Sequence, residues 1–259
     1  MFVPVSSAPT FKDFTLIMPA ISVGNVGQLA VDLIISTLNL NTVGYIHTAS
    51  LIPMVGNNPY ATSDETSTEL STNAEVYSLP EIKLAVLQIR SPILQTKYRQ
   101  FQNLILTWIK TSEFSKAIIL SSSHAYQRDD RQLLGTPLRY LLTPAMQSIV
   151  GDNLQMMNWK KMEKIAVFPE ISNTRQHLYI PGGGITKQLY NVCCSEGIPL
   201  AVLLVFCSEG DNMPDAFVLI NYLNEWLHLV ENACDQSSNW KIPCSWRLLF
   251  GSGIPPALF

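Results

Sequence analysis

Charge is what this sequence has least of. Only 14% of its 259 residues are Asp, Glu, Lys or Arg, against about 25% in an ordinary soluble domain, while 47% are hydrophobic. That shortage implies that much of the surface meets another protein instead of water. Basic runs are missing as well. Net charge is −3 and no lysine-arginine block exceeds Lys160-Lys161, so neither nucleic acid nor an anionic membrane is an expected partner. No apolar run approaches the roughly 20 residues that span a bilayer; Leu200 to Cys207 is among the longest. The five cysteines (Cys193, Cys194, Cys207, Cys234, Cys244) form no CxxC and no Cys/His zinc spacing, and an odd number argues against a closed disulfide framework. No metal and no cofactor is therefore expected. Met1-Phe2-Val3-Pro4 lacks the basic region and long apolar core of a signal peptide, giving the expectation of a reducing intracellular compartment.

What the chain does have is a succession of short apolar strands separated by amphipathic helices. Strands are expected near Phe14–Met18, Val43–His47, Ala74–Tyr77, Lys83–Ile89, Ala117–Leu120, Leu138–Leu142, Ile165–Phe168 and Leu200–Phe206, with His177–Ile180 leading into the turn at Pro181–Gly184. Helices are expected over Gln28–Leu38, Gln95–Lys110, Ala145–Val150, Ile185–Cys194 and from Asp211 to about Val230. In the first helix, Asn25 is placed to cap with Gln28 in the reciprocal position, and Gln28, Asp32 and Ser36 form one polar stripe. Thr62–Thr72 and Ser121–Thr136 read as exposed polar loops. Apolar strands alternating with helices imply an α/β fold, with a mostly parallel central sheet covered on both sides in a single domain.

Two stretches look like contact surfaces. The last long helix carries an apolar arc of roughly 200° at 100° per residue, more than one sheet layer needs. Either it is buried on two sides within the domain, or its outer edge, Val218, Tyr222, Trp226 and Leu229, packs on a partner. The second is the apolar stretch 240–259. It ends in Pro255, Pro256, Ala257, Leu258 and Phe259: prolines that hold the backbone extended, then three apolar side chains and a carboxylate. Such an end either enters a partner's pocket, where Leu258 and Phe259 would contribute roughly 1.5–3 kcal/mol each, or folds back on its own domain.

Catalytic candidates are weak by comparison. The turns Gly24–Gly27 and Gly182–Gly184 precede helices and could aim N–H groups at a phosphate, but neither fits a nucleotide fingerprint. Ser121-Ser122-Ser123-His124, with Asp129 and Asp130 nearby, sits at the expected carboxyl end of a strand. Adjacent residues on an extended chain point apart, so Ser123 and His124 make a poor nucleophile and base. An enzyme acting on a nucleoside or a phosphorylated small molecule through these segments is the rival reading.

Six stretches together carry a resemblance: Met18–Ala30, Met54–Tyr60, Leu120–His124, Ile180–Lys187, Ser208–Asn212 and Trp246–Gly253. In order, they resemble the proteasome assembly chaperone 2 family, over nearly the full chain. The resemblance implies a non-enzymatic protein of the cytoplasm and nucleus. It implies a heterodimer with proteasome assembly chaperone 1 that binds proteasome α-subunits on the outer face of the growing α-ring, favours the correct ring and blocks ring dimerisation. It also implies a three-layer, nucleoside-phosphorylase-like fold, and a tail docking between α-subunits through a hydrophobic–tyrosine–any-residue ending. Ala257, Leu258 and Phe259 fall on that ending, with Leu258 in place of the tyrosine and its hydroxyl.

Overall fold

Leu200–Cys207 is an uninterrupted apolar octapeptide with every residue buried, and around it the sheet is built. A strand that is apolar on both faces needs cover on both. A computed structural model describes residues 1–61, 68–133, 135–151, 153–166, 176–231 and 239–248. In chain order the elements are β1 (Phe2–Pro4), β2 (Thr15–Pro19), α1 (Val26–Leu38), β3 (Asn41–Ile46), β4 (Val55–Asn57), β5 (Leu70–Thr72), β6 (Ala74–Leu79) and β7 (Leu84–Ile89). There follow α2 (Tyr98–Thr111), β8 (Lys116–His124), α3 (Asp130–Leu133), β9 (Leu138–Leu142), α4 (Pro144–Val150), α5 (Asn153–Met156), β10 (Lys160–Lys161), β11 (Lys164–Ala166), β12 (Gln176–Leu178), α6 (Thr186–Glu196), β13 (Leu200–Cys207) and α7 (Met213–Leu227).

The main sheet has nine of these strands in the order β1-β3-β6-β7-β2-β8-β13-β9-β10. Its middle, β7-β2-β8-β13, is parallel throughout. The β1-β3-β6-β7 flank and the β13-β9 pair are antiparallel, and β10 rejoins in parallel. The expected α/β class is thus observed, with the parallel pairing concentrated in the centre. Alternate residues serve opposite layers: Ala117 and Ile119 of β8 pack with α2 and α6, while Ile118 and Leu120 pack with α1 and α7.

Three local expectations need correction. Ser121–His124 is not a loop but the end of β8, zipped in register to Leu204–Cys207, because tertiary partners for the hydroxyls outweigh the loop preference of serine. Leu70–Thr72 is β5, paired with Val55–Asn57, and Ser71 is buried; residues 62–67 of the expected loop lie outside the described residues. The capping box at α1 does not form. Asn25 has φ 53°, a left-handed conformation that Asn tolerates, and its side chain makes no cap bond.

Candidate functional site

The carboxyl end of the parallel strands is where an open α/β sheet would bind a small ligand. Here the two glycine turns and the serine run meet one another. Ser122 Oγ donates to Val23 O at 2.5 Å, so the 2.7 Å contact between Ser22 and Ser122 carries the Ser22 proton. Thr186 Oγ1 donates to Gly183 O at 2.5 Å, which leaves Ser121 to donate to Thr186 across 2.6 Å. Ser123 Oγ donates to Pro181 O at 2.8 Å. Each hydroxyl proton is thereby committed inside the protein. Val23 N donates to Gly182 O, and His124 N to Pro181 O, stitching both turns to the strand.

The glycines are there for close approach. A Cβ on Gly27 would stand 2.3 Å from Leu120 O, and one on Gly184, at φ +56°, would stand 2.2 Å from Ile21 O. The junction is a packed seam in which no serine is poised as a nucleophile, and the imidazole of His124 lies against Gly182 and Tyr126 instead of Ser123. Among the described residues, no three His, Cys, Asp or Glu side chains are grouped to hold a metal ion. No helix of the described residues is long and apolar enough to cross a membrane.

Sequence reasoning missed a polar network on the α1/α7 side. Asp32 is buried, not part of a solvent stripe. Its Oδ1 accepts from Arg90 Nη2 at 2.8 Å, Tyr60 OH at 2.6 Å and Gln88 Nε2 at 2.7 Å. Burial alone would lower the Arg90 guanidinium, but the Asp32 carboxylate holds it charged, above its ordinary range; burial and that same carboxylate push Tyr60 well up. The signal was available: Val31, Leu33, Ile34 and Ile35 flank the narrow polar stripe that holds Asp32, and a helix with so wide an apolar surface is covered by neighbours on most of its circumference.

The wide arc of α7 is largely taken up within the chain. Ala216, Leu219, Ile220 and Leu223 are buried against the sheet and α1. Tyr222 meets Trp159 edge-on at 5.8 Å and Trp226 lies under the Lys116 ammonium at 5.6 Å. The helix stops at Leu227, short of the expected Val230, because His228 turns left-handed at φ 51°, so Leu229 is half-buried against the same core from beyond the helix and not on its edge. Val218 remains 37% exposed. Part of the stretch 240–259 also lies on the body. Trp240 and Trp246 are buried; the Trp240 indole donates to Asn221 Oδ1 at 2.8 Å, Lys241 N donates to Thr37 Oγ1, and Ser245 N to Pro59 O. Pro255, Pro256, Ala257, Leu258 and Phe259 lie outside the described residues.

A sequence model of the PAC2 family matches residues 16–232. The chain belongs to the PAC2 family. Among curated PAC2 relatives, proteasome assembly chaperone 2 of Danio rerio is 61% identical over the whole of both chains, and that of Homo sapiens 58% identical, again over the whole of both. A solved structure, PbaA of Pyrococcus furiosus, an archaeal homologue of proteasome-assembly chaperone, superimposes with a TM-score of 0.64 over 90% of this chain and 88% of that one at 16% identity, a likeness of fold. The relatives' names describe a non-enzymatic role, in keeping with the expectation of a protein without catalysis.

Proposed function

We propose that this chain is an assembly chaperone of the 20S proteasome that works in the cytoplasm and nucleus as a heterodimer with proteasome assembly chaperone 1. It binds α-subunits, promotes α-ring formation and prevents rings from dimerising. The observation that carries this reading is full-length identity of 61% and 58% to proteins named proteasome assembly chaperone 2. The packed seam at the carboxyl end of the strands supports it from the other side, since the hydroxyls a phosphate-binding enzyme would use are committed to the fold.

Two surfaces take the partners. The outer edge of α7, with Val218 exposed beside the half-buried Tyr222 and Trp226, meets the partner chaperone together with Leu229 just past the end of the helix. Residues 240–248 anchor the stretch on the body, and Pro255–Phe259 engages α-subunits. A body contact plus a tethered tail gains avidity through effective concentration without one very tight site, which suits a factor that must later leave. The test is a pull-down of the tagged full chain beside one lacking Ala257, Leu258 and Phe259. The full chain brings down the partner chaperone and α-subunits, and the truncation keeps the partner while losing α-subunits. A truncation that changes nothing removes the tail from the account.

A further inference from the structure

We infer that the cavity between α6 and the β11–β12 hairpin binds a compact, multiply charged anion of the phosphate or polyphosphate type. The cavity has a volume of about 590 Å³, within the range of small-ligand sites. It lies on the α2/α6 side of the sheet, whereas α7 covers the other. Three lysines from three elements line it: Lys161 of β10, Lys164 of β11 and Lys187 in the first turn of α6. Among the described residues, no aspartate or glutamate does.

That concentration of charge is unexpected in a chain of net charge −3. Like charges gathered round one cavity repel, so an arrangement without internal counter-charge favours an anion from outside. The described carboxylates nearest in sequence are already engaged. Glu163 accepts from Arg139 Nε at 2.9 Å and from Gln132, and Glu196 pairs with Lys110. Among the described residues, none of the three lysine ammonium groups is hydrogen-bonded or ion-paired. Lys187 also stands at the positive end of α6, whose first turn holds no acid. The electrostatic sense of helix and lysines is the same.

A further polar group supports the assignment. His177 also lines the cavity and adds a polar ring beside the lysines; its Nδ1 is turned away from solvent and has no hydrogen-bond partner among the described residues. Lysines act as flexible point charges toward phosphate oxygens, and a volume of this size suits a small polyanion better than an extended acidic peptide.

The full chain, with its partner chaperone where the two are made together, is titrated with inorganic phosphate, pyrophosphate, tripolyphosphate and a hexaglutamate peptide at matched ionic strength. Affinity is expected to rise along the phosphate series. Lys161→Gln/Lys164→Gln/Lys187→Gln is expected to weaken tripolyphosphate binding at least tenfold, while its melting temperature without ligand stays level or rises. Lys12→Gln/Lys83→Gln, which removes exposed lysines elsewhere, should bind as the parent does. The inference is overturned if no phosphate probe binds, if both variants lose affinity equally, or if hexaglutamate binds more tightly than tripolyphosphate through the same three lysines.

Discussion

Asp32 shows most directly how one residue ties the layers together. It sits on α1, its guanidinium partner Arg90 follows β7, and Tyr60 reaches in from the loop after β4. Removing one member of a buried pair strands the other. Asp32→Ala is expected to lower unfolding free energy by about 3–5 kcal/mol, read from urea denaturation; a loss below about 1 kcal/mol would mean that water replaces the carboxylate freely. Gly27 makes a second residue-level test, because a side chain there meets the Leu120 carbonyl and not a flexible neighbour. Gly27→Ala should cost about 1–3 kcal/mol through overpacking, seen as a lower melting temperature, whereas a neutral result would show that the α1–β8 approach is loose. Thiols supply a third. Burial pushes Cys193 up to about 12 and Cys207 up to about 11, with the neighbouring Cys194 and Asp215 adding to the respective shifts. The folded state holds these protons more tightly than the unfolded chain, so this contribution to stability is intact below the ordinary thiol value and falls as pH climbs through 11 to 12. At pH 8 both should resist alkylation until the chain unfolds; rapid labelling of either in the native protein would contradict the packing described.

Among the elements, helices and central strands were legible because their apolar runs are long enough to decide a period. Leu200–Cys207 and Leu138–Leu142 are found where hydrophobicity puts them, and of the apolar face expected over Tyr98, Phe101, Ile105 and Trp108 in α2 the last three are buried while Tyr98, in the first turn, is exposed. The end of β8 was not, since three serines read as loop until Ser22, Thr186 and Pro181, residues distant in sequence, supply their partners. The antiparallel pairing of β6 with β7 was equally hidden, because strand direction depends on the turn at Pro80–Lys83 and not on side-chain pattern. For α7, the sequence left burial within the chain and contact with a partner as alternatives. The structure covers most of the arc and leaves Val218 at its outer edge. Val218→Asp should reduce heterodimer yield at least tenfold in co-expression while leaving the melting temperature of the chain nearly unchanged. Undiminished yield would remove this helix from the proposed interface.

At the scale of the whole molecule, a charge-poor composition, a sheet closed by helices on both faces and a sealed strand-end junction describe a body whose work is done at its surface. The sequence revealed this through the six stretches resembling the assembly chaperones, although no single one of them carries chemistry. The chemistry it offered to the eye, two glycine turns and a Ser-Ser-Ser-His run, proves to be architecture, since Gly27 and Gly184 permit backbone contact and the serines bond to it. As the proposed assembly chaperone, the chain is bound to proteasome subunits only while the particle is being built. Native-gel separation of a cell lysate expressing the tagged chain, followed by mass spectrometry of each tagged band, tests it most directly. The chain is expected together with the partner chaperone and α-subunits in precursor bands, and absent from the mature 20S particle; retention in the mature particle, or bands without any proteasome subunit, would show that it is not an assembly factor.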